Sequence, residues 1–135
     1  PGCQPIWPGE NLRRSRGDEA GVPAFCRSVW NAHGAEFADL DGAQRQDCMA
    51  AVALVGQVRR QQRQPTKINL ATLGNVVPHL HWHIIARYDW DSHFPAPVWA
   101  SAQRPRDSVR EAAVVAQLPM VDAALQQAFA AYCEK

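Results

Sequence analysis

The stretch Val77–Arg87, VPHLHWHIIAR, places three of the chain's five histidines at positions 79, 81 and 83 and fills the gaps with Leu80, Trp82, Ile84 and Ile85. Alternation with a period of two belongs to a β-strand, in which successive side chains point to opposite faces. The segment from Leu80 to Tyr88 is therefore predicted as a strand, with Leu80, Trp82 and Ile84 turned to a core and His79, His81 and His83 sharing the other face. Rings two residues apart stand about 6–7 Å from one another. Such neighbours cannot all be protonated cheaply, because like charges depress imidazole pKa values. At least one ring is expected to be neutral at pH 7 and available as a nucleophile or a metal ligand.

Outward from this strand the pattern is mixed. TKINLATL, Thr66 to Leu73, reads as a strand closed by a Gly74-Asn75 turn, and AFCRSVW, Ala24 to Trp30, as an earlier one. Between them Asp41 is an acidic N-cap with Gln44 three residues on, a capping box. Ala51, Leu54, Val55 and Val58 follow at helical spacing, and Pro65 ends the run, giving one amphipathic helix of about 20 residues. The first residues, rich in Gly, Pro and charge, are an irregular lead-in with at most one edge strand near Asn11 to Ser15. Past Trp99 a polar stretch leads to Ser108-x-x-Glu111, read as a helix cap. Pro119 is read as the start of a further helix with Val121, Leu125, Ala128, Phe129 and Tyr132 on one side. Strands in antiparallel succession with a helix on one face make an α+β fold.

The bulk numbers exclude several classes of function. A chain of 135 residues with 47% hydrophobic and 20% charged residues is expected to be a single globular domain, residues 1–135. Fourteen Lys and Arg against thirteen Asp and Glu leave a net charge of +1, no global field for nucleic acid or an anionic membrane. Local clusters, Arg13/Arg14/Arg16 and Arg59/Arg60/Arg63, read as solvated surface arginines rather than a phosphate patch. No apolar run is long enough to span a bilayer and no signal-peptide pattern is present, so a cytoplasmic protein is expected. Cys3, Cys26, Cys48 and Cys133 form no C-x-x-C pair and suit reduced thiols, with Cys48 and Cys133 on apolar helix faces.

The in-phase histidines leave three readings of their own: polar decoration of a solvated strand, a zinc site of the kind strand imidazoles build, or covalent chemistry. His79-Leu80-His81-Trp82-His83-Ile84-Ile85 resembles, at all seven positions, the H-φ-H-φ-H-φ-φ motif of the histidine-triad (HIT) nucleotide hydrolases and transferases. The context is similar too: Asn69 on the preceding strand, Gly74-Asn75 in the turn, Arg87 after the triad, HFPAPVW downstream, and VWNAH followed by AEFADL upstream. The likeness spans roughly Ala20 to Trp99, leaving a helical extension over residues 105–135.

The resemblance implies an antiparallel meander of about five strands with one long helix packed on it, a homodimer, and a nucleotide substrate with no metal or other cofactor. It implies that His81 attacks the α-phosphate to form a nucleotidyl-histidine that water hydrolyses, while His79 and His83 donate hydrogen bonds to phosphate oxygens and leaving group. Asn75 and Asn69 align with residues that contact phosphate or ribose, Gly74 with a close approach of backbone to phosphate, and His33 with a loop histidine. Each has a plainer reading as a turn, strand-end or surface residue. Two departures stand out. Val76 occupies the position, three before the first triad histidine, where many relatives carry a Ser or Thr that contacts the leaving group. No histidine occurs near Phe25 or Cys26, where some branches have one. A non-catalytic nucleotide-binding module and a zinc-binding protein remain the rival readings.

Overall fold

The structure, a computed structural model, describes residues 4–5, 12–16, 25–30 and 34–133. Strands β1 (Gln4–Pro5), β2 (Leu12–Arg16), β3 (Phe25–Trp30), β4 (Lys67–Ala71) and β5 (His81–Arg87) form one antiparallel sheet in the order β1-β2-β3-β5-β4. Helices α1 (Gly42–Arg63) and α2 (Ser108–Cys133) complete an α+β fold. Strand β5 lies between β3 and β4, with Val29 in register with His81 and Ala71 in register with His83. Sequence patterning missed β1; its Pro5 lacks a backbone N–H and is tolerated at the outer edge of a sheet. Strand β4 stops at Ala71, short of Leu73, and just past its end the Thr72 hydroxyl donates to the His81 carbonyl at 2.7 Å.

Helix α1 follows its capping box closely. The Gln44 N–H donates to Asp41 Oδ1 at 2.8 Å and the Asp41 N–H to Gln44 Oε1 at 2.9 Å, satisfying two N–H groups that the first turn leaves over. It ends at Gln64, whose φ of 45° is left-handed and whose N–H donates to the Arg60 carbonyl; Pro65 disfavours helical geometry in the residue before it. Cys48, Ala51, Val52, Val55 and Val58 are buried against Leu80 and Ile84 of the sheet side and Val121, Leu125 and Phe129 of α2. Each fully buried aliphatic or aromatic side chain contributes roughly 1.5–3 kcal/mol.

Two expectations are corrected. The run Arg59/Arg60/Arg63 is not a solvated patch: Arg59 is buried, and Arg63 donates to the Tyr88 hydroxyl, Gln117 Oε1 and the Val114 carbonyl, tying α1 to α2. The C-terminal region is one helix rather than two, with Pro119 inside it. Its cap is Asp107, whose Oδ1 accepts from the Arg110 N–H at 3.0 Å, while Glu111 pairs with Arg106 at 2.6 Å. Proline in a helix interior removes one hydrogen bond and crowds the carbonyl four residues back, here Val115. The helix continues because Val114 and Leu118 before the proline and Val121, Leu125 and Phe129 after it are buried on the same side. Pro119 itself is exposed. Pro119→Ala is therefore expected to stabilise the protein by about 1–3 kcal/mol, read as a higher urea midpoint at unchanged slope.

Candidate functional site

Strand β5 has two functional faces. Ile84, Ala86 and Tyr88 go to the helices, with Trp82 half-buried against Phe37, edge to face at 5.9 Å. The other face runs His81, His83, Ile85, Arg87. Its far end is dry: Ile85 packs on Val98, and the segment from Asp91 to Trp99 covers it. Its near end, at the imidazoles, is open.

The covering segment is held by a buried ion pair. Arg87 Nε lies 2.9 Å from Asp91 Oδ2 and Nη2 lies 3.1 Å from Oδ1, with both residues 1% exposed. The same guanidinium donates to the Ala96 carbonyl at 2.8 Å and to Asn69 Oδ1 at 2.9 Å. The Asp91 carboxylate also accepts from the Tyr88, His93 and Phe94 N–H groups. Burial pushes the Asp91 carboxyl up, but the hydrogen bonds from Arg87 and the backbone, with the guanidinium's charge, outweigh it and hold its pKa below the ordinary value. Sequence reading found Arg87 only as part of a resemblance and missed Asp91. The R-x-x-x-D spacing was the available signal, but such spacing across a strand end and a turn follows no periodic pattern.

The nucleophile candidate is fixed at both ends. The Leu80 N–H donates to the Gly34 carbonyl at 2.8 Å, tying the start of β5 to the chain beyond β3, and Thr72 holds the His81 carbonyl. His79 precedes the strand, in a bend, and its carbonyl oxygen lies 2.5 Å from His81 Nδ1. A ring nitrogen facing a carbonyl must carry the proton, so the lone pair of a neutral His81 resides on Nε2. The His81 and His83 rings are perpendicular with centroids 5.1 Å apart.

Both imidazoles line a groove of about 480 Å3, with Gly74, Asn75, Val76, Val77, Leu73 and Trp99 forming the rest of its wall. Gly74 has φ 78°, which favours glycine, so the turn that carries Asn75 to the groove needs this residue. Of the residues singled out from sequence, His81, His83, Gly74 and Asn75 are thus brought together. His79 contributes its carbonyl rather than a groove wall. Asn69 is turned to Arg87 and lines a neighbouring groove of about 340 Å3 along β4, which Trp99 also borders. His33 lies outside the described residues, as do the Cys3 thiol and the side chains of Cys26 and Cys133. Cys48 is fully buried, and burial pushes its thiol pKa up, so it is a structural thiol. His93, whose Nδ1 sits 2.8 Å from Ser92 Oγ, belongs to the covering segment.

Comparison with known proteins agrees with this arrangement. The HIT domain profile matches residues 12–90. A histidine triad protein from Bradyrhizobium japonicum is 27% identical over 95% of this chain and 91% of its own, with a TM-score of 0.72. One from Marinobacter aquaeolei is 25% identical over 92% of this chain and 91% of its own, with a TM-score of 0.68. A HIT protein from Sinorhizobium meliloti shares the fold at 24% identity and a TM-score of 0.67, covering 88% and 89% of the two chains. No curated protein matches the chain. With more than half of its length matched by the profile, the chain belongs to the HIT domain family.

Proposed function

We propose that the protein is a nucleotide hydrolase that cleaves a phosphoanhydride or phosphoramidate bond at a nucleoside α-phosphate through a covalent nucleotidyl-His81 intermediate. HIT proteins are generally nucleotide-binding hydrolases. The observation that carries the reading is the His81 Nδ1–H bond to the His79 carbonyl, which leaves Nε2 as the unprotonated nitrogen of a residue lining an open groove. In the first step Nε2 bonds phosphorus as the bond to the leaving group breaks. The electron pair departs with the leaving atom, which takes a proton from the imidazolium form of a flanking histidine, His79 or His83. Water then attacks the phosphorus, the electrons of the N–P bond return to Nε2, and the water's proton restores the flanking imidazolium. Asn75 and the chain around Gly74 position the phosphate, Asn69 contacts ribose or phosphate, and His33 is a further substrate-binding residue. Phosphoryl chemistry of this kind asks mainly for positioning and charge stabilisation.

The proposal includes one HIT-like unit, with its core at about residues 20–99 and α2 as an extension, acting as a cytoplasmic homodimer. Strand β4 ends the sheet among the described residues, and exposed Leu70 and Trp99 stand beside that edge, where a second copy can bury them. Sedimentation is expected to give a dimer at micromolar concentration, and Leu70→Lys to shift it toward monomer. The catalytic proposal is tested by intact-mass analysis after brief incubation with a diadenosine polyphosphate and with a nucleoside phosphoramidate. A gain of one nucleoside monophosphate, absent in His81→Ala, is expected. Affinity without adduct or turnover would favour a binding module, and bound zinc without adduct a metal protein.

A further inference from the structure

We propose that the pocket between the end of α1, the start of α2 and the turn after β5 binds a phosphate oxyanion, at a site separate from the histidine groove. Arg63, Tyr88, Trp90, Arg110, Val114 and Gln117 line this pocket of about 230 Å3. Tyr88 packs with Ala86 and Val114 on the helix side of the sheet, opposite the face of His81. Seven residues of strand separate the two, roughly 23 Å at about 3.3 Å per residue. The pocket therefore stands or falls without the reading of His81 as nucleophile.

Hydrogen bonding turns the pocket wall into a set of donors. A guanidinium carries five N–H groups in a rigid fork and accepts nothing. Arg63 Nε donates to the Tyr88 hydroxyl at 3.3 Å, Nη1 to Gln117 Oε1 at 2.8 Å and Nη2 to the Val114 carbonyl at 2.9 Å. One N–H on each Nη is left over. Tyr88 and Gln117 have turned their oxygens to the guanidinium, so what they still offer is the phenol O–H and the amide NH2. Arg110 adds a second fork at the rim. Its Cζ lies 5.8 Å over the ring of Trp90, which stacks on Tyr88 with centroids 5.0 Å apart. Asp107 holds it only loosely, at 3.4 Å between exposed side chains, and Glu111 beside it is committed to Arg106 at 2.6 Å. Arg110, Ala113, Val114 and Gln117 recur at i, i+3, i+4 and i+7, so one face of α2 brings them to the cavity. Two forks with surplus N–H groups, a phenol and an amide suit the several oxygens of a phosphate, which accept charge-assisted bonds. The volume is several times the ~30 Å3 share of a water molecule, and leaves room for part of an ester substituent along Trp90.

The test is a titration with inorganic phosphate at constant ionic strength, followed by NMR through the indole N–H of Trp90 and the side-chain N–H signals of Arg110 and Gln117. Chloride, acetate and adenosine monophosphate serve as parallel titrants. Phosphate is expected to shift these signals saturably, at concentrations where chloride and acetate do not. Arg110→Ala removes an exposed side chain and should leave the unfolding midpoint unchanged while weakening phosphate by about ten-fold, the loss of one charge-assisted bond. Arg63→Lys keeps the charge and loses the fork, and should weaken phosphate by a similar factor; should it fail to fold, Arg110→Ala decides alone. Adenosine monophosphate that shifts the same signals assigns the site to phosphate monoesters, and its exclusion assigns it to free phosphate; either result upholds the site. Shifts confined to the His81 and His83 signals, an equal response to acetate or chloride, or parent affinity in Arg110→Ala would overturn it. A His81→Ala protein that forms no adduct but still binds phosphate beside Trp90 separates the two proposals.

Discussion

His81→Ala is expected to lower kcat by roughly 10⁴-fold or more, while the far-UV circular dichroism and the unfolding midpoint stay close to those of the parent. The two effects separate because of where the ring sits. His81 lines an open groove and contributes nothing to the clusters of Leu80, Ile84 and the helices, so its truncation opens no cavity in the core. The one hydrogen bond lost is that to the His79 carbonyl, on a half-buried residue where water can replace the donor, a net loss of about 1 kcal/mol. A rate loss of that size corresponds to about 5 kcal/mol of transition-state stabilisation. His83→Ala removes a phosphate-side donor and not the bond to phosphorus, and should cost about 10²–10³-fold. Free imidazole, small enough to occupy the space that the missing ring leaves, should restore part of the activity of His81→Ala by bonding phosphorus itself. A His81→Ala protein that retains a tenth of the parent rate would remove this residue from the chemistry.

How far the sequence discloses this arrangement depends on which force sets each part. The triad strand was legible because burial with a period of two is a local pattern: Leu80 and Ile84 are inside, His81 and His83 outside, as the alternation requires. Helix α1 was legible from its start to its stop, because both the Asp41–Gln44 box and the proline at 65 act on backbone within four residues of themselves. Helix α2 was misread for the converse reason. The rule that proline breaks a helix is local, and it was overridden by Val114, Leu118, Val121, Leu125 and Phe129 packing on one side across the break. Arg59 shows the same limit, since a charged residue in a basic run reads as surface until the neighbouring elements enclose it. At the site, a turn of short chain separation brings Gly74 and Asn75 to the groove that His81 and His83 line. Asn69 pairs with a residue eighteen positions away, and no spacing within one element discloses that its carbonyl oxygen serves Arg87.

That pairing bears on the second large effect. Arg87→Leu is expected to destabilise the protein by about 3–5 kcal/mol, the largest loss for any single replacement outside the apolar core. The cost arises less from losing the guanidinium's attraction than from what it leaves behind. The Asp91 carboxylate, 1% exposed, would keep its three backbone donors and lose its counter-charge, while the Ala96 carbonyl and Asn69 Oδ1 lose a donor. The double replacement Arg87→Leu, Asp91→Leu should recover much of the loss, because a buried pair exchanged for apolar groups leaves no orphaned charge. Acid dependence supplies a second readout. The folded pKa of Asp91 is depressed, so its contribution is present above the unfolded value of about 4 and is lost as pH falls through the folded value. In Arg87→Leu, burial is opposed only by backbone N–H groups, and the fall in unfolding midpoint below about pH 4 should flatten. The same variant frees the segment from Asp91 to Trp99 at its anchor, and Trp99 forms part of the groove wall. It should therefore also lose kcat/KM at temperatures where it is still folded. A variant as stable as the parent, with an unchanged acid limb, would show that the covering segment is held by Ile85 and Val98 alone.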